Sequence, residues 1–196
     1  EKTEVLTDEQ MRRLLEALDA EPDQDAAALM RLAMVTGMRK GALLALKWED
    51  CDFERSIIRL RGESAKKGTT EYIPMNDAAK TILKNVSQVG SPFVFPGKNG
   101  GQRADYRRIA RRVKKKAGLP DDFRPLHGLR HNFASYLASS GKVDMYSLQK
   151  LLTHSSPQMT QRYAHLADEA MRRASCVADS IFNNLTDKNH DDETSK

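Results

Sequence analysis

Apolar residues recur at helical spacing along most of this chain, and this periodicity constrains the fold more than any other feature. Thr7 and Gln10 have the spacing of a capping box, so the apolar stripe within residues 11–18 belongs to a first helix. The same spacing predicts helices over residues 26–35, 40–47, 103–116, 129–139, 145–152, 157–164 and 168–182, and one that Asn76 or Asp77 caps and that runs to about Val86.

Two segments depart from helical spacing. Residues 56–60 and 69–73 are rich in β-branched side chains, and a turn-rich stretch connects them. This pattern predicts a hairpin or a small antiparallel sheet, and residues 93–95 add a short strand-like run. The fold class we expect is mostly α with a small antiparallel β-sheet (α+β).

Length and composition limit the classes of protein to which the chain can belong. The 196 residues suffice for one well-packed domain, which we expect over residues 1–184, followed by a disordered acidic tail over 185–196. No run of eighteen apolar residues occurs, which excludes a membrane span, and the polar start of the chain is unlike a signal peptide. Cys51 and Cys176 are too few for a disulfide scaffold, so a reducing, intracellular compartment is expected.

The net charge of +5 suggests an anionic partner, of which nucleic acid is the commonest large one. The predicted helix over 103–116 concentrates this charge, because it holds eight Arg and Lys residues against Asp105 alone. A run of charge is often only a solvated surface. Here an apolar stripe fixes one side of the helix inward, which favours contacts of the other side with DNA phosphates.

Four short polar segments are candidates for a site. They are Thr36-Gly37-Met38-Arg39, Lys66-Lys67-Gly68, His127-Gly128-Leu129-Arg130-His131, and residues 152–166, which include His154 and Tyr163. Each has an ordinary structural interpretation: a capping arginine, lysines at a solvated hairpin tip, a helix start, and a half-buried tyrosine.

The segment around His127 admits two ligands. His127 and His131 have the i, i+4 spacing of a two-histidine zinc helix, but the glutamate of that motif is absent and Arg130 between them would repel a cation. Imidazoles and a guanidinium at a helix start favour an anion instead.

Taken in order, these segments resemble the catalytic domain of a tyrosine recombinase of the phage integrase family. The matching residues are T-G-M-R at 36–39, S-A-K-K-G at 64–68, H-G-L-R-H-N-F-A-S at 127–135 and L-T-H-S-S-P-Q-M-T-Q-R-Y-A-H-L at 152–166. The resemblance implies a catalytic set of Arg39, Lys66, His127, Arg130 and His154, with Tyr163 as the nucleophile. It also implies a cytoplasmic, nucleoid-associated enzyme that needs no metal or other cofactor.

The implied reaction suits these residue types. Two arginines grip the non-bridging oxygens of a phosphodiester as lysine cannot, and Tyr163, with an ordinary pKa of about 10, needs positive charge or a base nearby. Lys66 would protonate the leaving 5′-hydroxyl, while the separate roles of His127 and His154 stay open. The product would be a 3′-phosphotyrosyl enzyme.

The implied partners are double-stranded DNA and sister recombinase subunits in a synaptic tetramer. The expected DNA contacts are Lys67, Arg103, Arg107, Arg108, Arg111 and Arg112. The family's N-terminal DNA-binding domain is expected to be absent from this chain. The apolar stripe of helix 168–182 packs either on its own domain or on a neighbouring subunit.

Two departures from the family pattern stand out. The family often has an acid three residues after its first arginine, where this chain has Ala42, and it usually has glycine where Thr153 precedes the second histidine. Ala42 raises the question of how Arg39 is oriented. The departures leave a DNA-binding module that has lost activity as one alternative. A type IB topoisomerase, which shares the same chemistry, is the other.

Overall fold

The computed structural model describes residues 5–61 and 69–191, with side chains as far as residue 177. Its helices are α1 (Asp8–Asp19), α2 (Gln24–Thr36), α3 (Lys40–Ala45), α4 (Asp77–Lys84), α5 (Arg107–Lys116), α6 (Pro125–Ser139), α7 (Met145–Leu151), α8 (Gln158–Gln161) and α9 (Ala164–Asp191). The strands are β1 (Cys51–Asp52), β2 (Ile57–Leu60) and β3 (Glu71–Pro74), and a 3₁₀ turn at Trp48–Asp50 precedes them. The predicted fold class, mostly α with a small antiparallel sheet, is confirmed.

Local chemistry fixes the ends of the first two helices. Thr7 and Gln10 form the predicted capping box at the start of α1. Helix α2 ends at Gly37, whose φ of 63° is in the left-handed region that favours glycine. A Cβ at this position would also lie 2.4 Å from the ring of Phe133 on α6. Gly37 therefore allows α2 to approach α6 closely just before Arg39.

The sheet has the order β1-β2-β3, and both pairs are antiparallel. Ile58 pairs with Ile73 and both are buried, whereas Tyr72, opposite Arg59, is exposed. This alternation turns one face of the β2–β3 pair towards the helices. The sheet contains the predicted hairpin strands, and β1 adds a strand that the sequence did not predict.

Several boundaries differ from the prediction. Helix α5 begins at Arg107, so Arg103 precedes it, and α6 begins at Pro125 because proline suits the first position of a helix. Residues 93–95 form no strand, since Phe93 makes only an isolated bridge with Lys47. Helix α9 runs to Asp191, past the predicted end at Phe182, and residues 192–196 lie outside the described part of the chain.

Two apolar clusters form the core. The larger cluster joins α1, α2, α4, the sheet, α5 and the start of α6. The smaller cluster consists of Ala134, Ala138, Leu148, Leu152 and Tyr163, so the Tyr163 ring packs between α6 and α7. None of the helices in the described ranges has the length and hydropathy to cross a membrane.

Candidate active site

Arg39 directly follows the turn at Gly37 and occupies the N-cap position of α3. Its guanidinium donates one hydrogen bond to Thr153 Oγ1 and another to the Thr153 carbonyl oxygen, each 2.5 Å long. These contacts join two segments that lie more than a hundred residues apart in the chain. Thr153 thus orients Arg39 at the position where the family usually has glycine.

Arg130 on α6 connects the same two segments. It donates to the carbonyl oxygen of Gly37 at 2.6 Å and to that of Leu152. Within the described residues, Arg39 and Arg130 donate to hydroxyl and carbonyl oxygens, and neither forms an ion pair with a carboxylate. The two guanidinium groups therefore keep their positive charge available for an anion.

Burial and mutual repulsion act on these two arginines. Burial, and to a lesser degree the Arg39 charge, lower the pKa of Arg130 to about 10. Burial also lowers the pKa of Arg39, while the Glu71 carboxylate on β3 partly opposes this shift. Both groups stay protonated at neutral pH.

His127, His131 and Tyr163 form a chain of hydrogen bonds. Tyr163 Oη lies 2.6 Å from His131 Nδ1, and His131 Nε2 lies 2.8 Å from His127 Nε2. Tyr163 and His131 are each only 5% exposed, whereas His127, in the first turn of α6, is exposed. Tyr163 itself lies in the turn between α8 and α9, not on a helix as the sequence predicted.

His154 follows Thr153 and its Nδ1 lies 2.8 Å from Thr160 Oγ1. Burial, followed by the charges of Arg130 and Arg39, lowers the pKa of His154 to about 4. The ring is therefore neutral at physiological pH. When Thr160 donates to Nδ1, the single proton of the ring is on Nε2 and this atom is a hydrogen-bond donor.

One cavity of about 690 Å³ brings these groups together. Its lining includes Arg39, His127, Arg130, His154 and Tyr163, which are five of the six predicted catalytic residues. The sixth, Lys66, lies outside the described residues, as does Lys67. The described lining also carries three further cations and no carboxylate: Lys40, Arg124 and Arg162. This surplus of positive charge suits an anionic group such as phosphate.

The conserved profile of one protein family, described as "Phage integrase family", matches residues 4–170. The chain belongs to the phage integrase family.

Three similar proteins illustrate the family. The tyrosine recombinase XerC of Xanthomonas axonopodis pv. citri (strain 306) is 34% identical over 172 residues, which are 83% of this chain and 54% of that protein. The catalytic domain of bacteriophage HP1 integrase superposes with a TM-score of 0.65 at 25% identity, over 87% of this chain and 92% of that one. The integrase of transposon Tn1549, in complex with circular intermediate DNA, gives 0.71 at 25% identity, over 86% and 66%. The chain spans about half the length of the curated relatives that it matches.

In this member of the phage integrase family, the basic residues predicted to contact DNA differ in position and in hydrogen-bond partners. Arg107, Arg108 and Arg111 are exposed on α5. Arg112 is exposed too, but it donates to both carboxylate oxygens of the buried Glu21, with a 2.9 Å bond to one of them, and so ties α5 to the end of α1. Arg103 donates to the Pro96 carbonyl oxygen and precedes the helix.

Sequence reasoning did not assign roles to several residues of the site. His131 was considered as a metal ligand or as part of an anion site and was left out of the catalytic set, although its spacing from His127 already placed both rings on one face of α6. Among the described residues, no group of three or more His, Cys, Asp or Glu side chains is placed to hold a metal ion. Lys40 and Arg124 gave no signal in the sequence, because only the fold brings them to the cavity.

Thr153→Gly is expected to slow the reaction of the site without unfolding the domain. Thr153 has a φ of 48°, a left-handed conformation that costs a non-glycine residue about 1 kcal/mol or more, so glycine relieves strain there. The same change removes the Oγ1 acceptor of Arg39, and a lost hydrogen bond to a charged group is worth about 1.5 kcal/mol, or roughly tenfold in rate. The measurement is the rate at which a covalent protein–DNA adduct forms, and thermal unfolding is measured in parallel.

Two further variants control this experiment. Thr153→Ser keeps the hydroxyl and should react like the wild type. Ala42→Glu, added to Thr153→Gly, restores the acid that the family often has and should recover part of the rate. Equal rates for Thr153→Gly and the wild type would show that Thr153 does not orient Arg39.

Proposed function

We propose that this chain is the catalytic domain of a site-specific DNA recombinase, which cleaves and rejoins DNA strands through a 3′-phosphotyrosyl intermediate without metal or ATP. The observation that carries the proposal is the meeting of two arginines, two histidines and a tyrosine at one cation-rich cavity. The names of the relatives support it, since they are tyrosine recombinases and integrases and one of them is in complex with DNA.

The two arginines would bind the scissile phosphate. Phosphoryl transfer places negative charge on the non-bridging oxygens, and a guanidinium can contact two of these oxygens at once. Arg39 and Arg130 are held by backbone and hydroxyl oxygens before any substrate arrives. Preorganised donors of this kind typically contribute about 10²–10³ in rate each.

The remaining residues would handle protons and the leaving group. Tyr163 Oη attacks phosphorus and the 5′-oxygen leaves, with Lys66 as the proposed general acid. His154, neutral at physiological pH, would donate a hydrogen bond to a non-bridging oxygen and add no charge of its own. A 5′-hydroxyl from another strand then attacks the phosphotyrosine and reseals the DNA.

Double-stranded DNA is the proposed partner, in the cytoplasm and on the nucleoid. Arg107, Arg108 and Arg111 would contact its phosphates from α5, and Arg103 from the segment that precedes this helix. Lys67 is proposed as a further phosphate contact. Sister subunits would complete a synaptic tetramer, and the exposed Met171 and Val177 of α9 are candidates for a contact in trans. Arg112 would contribute less to DNA binding than its neighbours, because it is paired with Glu21.

Charge reversal of two neighbouring arginines tests the proposed DNA surface. Arg111→Glu should weaken binding to duplexes of any sequence and reduce the dependence of log K on log salt by about one unit, measured between about 50 and 200 mM salt. Arg112→Glu should instead destabilise the fold by roughly 1–3 kcal/mol, because it opposes a buried carboxylate. A loss of binding confined to one DNA sequence would show that Arg111 reads bases.

The central experiment captures the covalent intermediate. The protein is incubated with a pool of nicked duplexes of random sequence, in which the short strand beyond the cleaved phosphate diffuses away and prevents rejoining. Denaturing electrophoresis should show a protein–DNA adduct, and sequencing of the attached strands should reveal a preferred site. A folded protein that binds DNA but forms no adduct would instead be a DNA-binding module. Supercoil relaxation without strand exchange between two such sites would indicate a topoisomerase.

A further inference from the structure

We propose that His131 is a further catalytic residue, which takes the proton of Tyr163 and passes a proton on to His127. This inference rests on the proposed function, because Tyr163 must lose its phenolic proton to attack a phosphodiester. It assigns a role to a buried histidine that is absent from the catalytic set implied by the family resemblance.

The contacts of the His131 ring carry the proposal. Its two nitrogens point to two different partners, with Nδ1 at 2.6 Å from Tyr163 Oη and Nε2 at 2.8 Å from His127 Nε2. The rings of His127 and His131 meet edge to face, with centroids 4.4 Å apart and an interplanar angle of 75°. The 2.8 Å between the two Nε2 atoms is hydrogen-bond distance, so the Nε2–H of one ring can donate to the Nε2 lone pair of the other.

Burial sets the direction of proton transfer along the hydrogen bonds from Tyr163 to His127. All three residues line the cavity, but His131 and Tyr163 are each only 5% exposed, whereas His127 is exposed. A positive charge on His131 would be buried close to Arg130, which is costly, while the same charge on His127 is solvated and faces the bound phosphate. The proton of Tyr163 therefore reaches solvent and substrate through His131 and does not stay there.

The step is balanced in atoms and charge. In the resting state Tyr163 Oη–H donates to His131 Nδ1, and His131 Nε2–H donates to His127 Nε2. As the Oη–P bond forms and the P–O5′ bond breaks, the Tyr163 proton moves to Nδ1 and the Nε2 proton moves to His127. His131 stays neutral in its other tautomer, His127 becomes imidazolium, and the 5′-oxygen takes its proton from the general acid. Rejoining runs the same transfers backwards.

Two substitutions each remove one half of the relay. His131→Asn places a side-chain oxygen near the position of Nδ1, so it keeps an acceptor for Tyr163 but cannot reach His127. His131→Gln reaches the position of Nε2 and keeps a partner for His127 but not for Tyr163. Both should slow adduct formation by about a hundredfold, the usual lower range for a lost general base. His165→Asn, a change at an exposed histidine, should leave the rate unchanged.

The pH profile separates a chemical role from a structural one. In His131→Gln, hydroxide must take the Tyr163 proton, so the rate should rise more steeply with pH than in the wild type. Imidazole added to His131→Ala should restore part of the rate. Folded His131→Asn and His131→Gln variants with the wild-type rate would overturn the relay.

Nuclear magnetic resonance of the wild-type protein tests the relay even if the His131 variants fail to fold. In protein labelled with ¹⁵N-histidine, an N–H···N bond between His131 and His127 should give a coupling between the two Nε2 nuclei and distinct shifts for the two nitrogens of His131. Absence of this coupling in Tyr163→Phe and wild type alike would overturn the relay. A wild type that shows the coupling but never forms an adduct would instead contradict the proposed function.

Discussion

Tyr163→Phe is expected to abolish the covalent protein–DNA adduct while the domain stays folded and still binds DNA. Phenylalanine keeps the ring that packs against Ala134, Leu148 and Leu152, and it removes only the oxygen that would attack phosphorus. The loss of the hydrogen bond to His131 should cost about 1 kcal/mol of folding free energy, which is far too little to unfold a domain of this size. Adduct formation on the nicked pool and thermal unfolding are measured on the same preparation.

Tyr146→Phe is the matched control. Tyr146 is 67% exposed on α7, outside the cavity, so loss of its hydroxyl should change neither the adduct nor the thermal midpoint. An adduct that persists in Tyr163→Phe would remove this tyrosine from the role of nucleophile. An adduct lost equally in Tyr146→Phe would indicate that a general defect, and not the missing nucleophile, explains the result.

The sequence predicted most of the site residues and most of the helices that hold them. The motifs at 36–39, 127–131 and 152–166 contained Arg39, His127, Arg130, His154 and Tyr163, and the fold brings all five to one cavity. Helical spacing predicted most of the elements that hold them, because a buried apolar face repeats with the period of the helix. The exact bounds were less predictable: α8 is short, and Tyr163 lies after it in a turn.

The contacts between distant segments could not be predicted. Arg112 belongs by sequence to a run of cations, and only packing of α5 on α1 shows that it is paired with Glu21. Likewise, the sequence does not connect Ala42 with Thr153, its two departures from the family pattern. The structure connects them, because Thr153 orients Arg39, the residue whose orientation Ala42 put in question. Such pairings depend on tertiary geometry, which local periodicity does not encode.

Arg130→Lys is expected to reduce adduct formation by about 10²–10³ although lysine is also a cation. Arg130 uses two nitrogens to bind the carbonyl oxygens of Gly37 and Leu152, and its planar fork is thereby aimed at the cavity. A lysine has one nitrogen on a flexible stem and cannot make these contacts while also gripping two phosphate oxygens. The surroundings that lower the pKa of Arg130 to about 10 would also lower the pKa of a lysine, whose ordinary value is about 10.4, so the lysine would lose its proton at a lower pH than the arginine does.

The pH dependence of Arg130→Lys follows from this second effect. A lysine whose pKa is lowered towards neutrality gains its proton as the pH falls, so the gap between the variant and the wild type should narrow at lower pH. The ratio of the wild-type rate to the variant rate is obtained by measuring adduct formation for both proteins across the same pH series. Lys150→Arg, a change on α7 outside the cavity, controls for exchange of the two cation types. Near-wild-type rates for Arg130→Lys at every pH would mean that Arg130 acts only as a point charge, and that the fork held by Gly37 and Leu152 has no part in the chemistry.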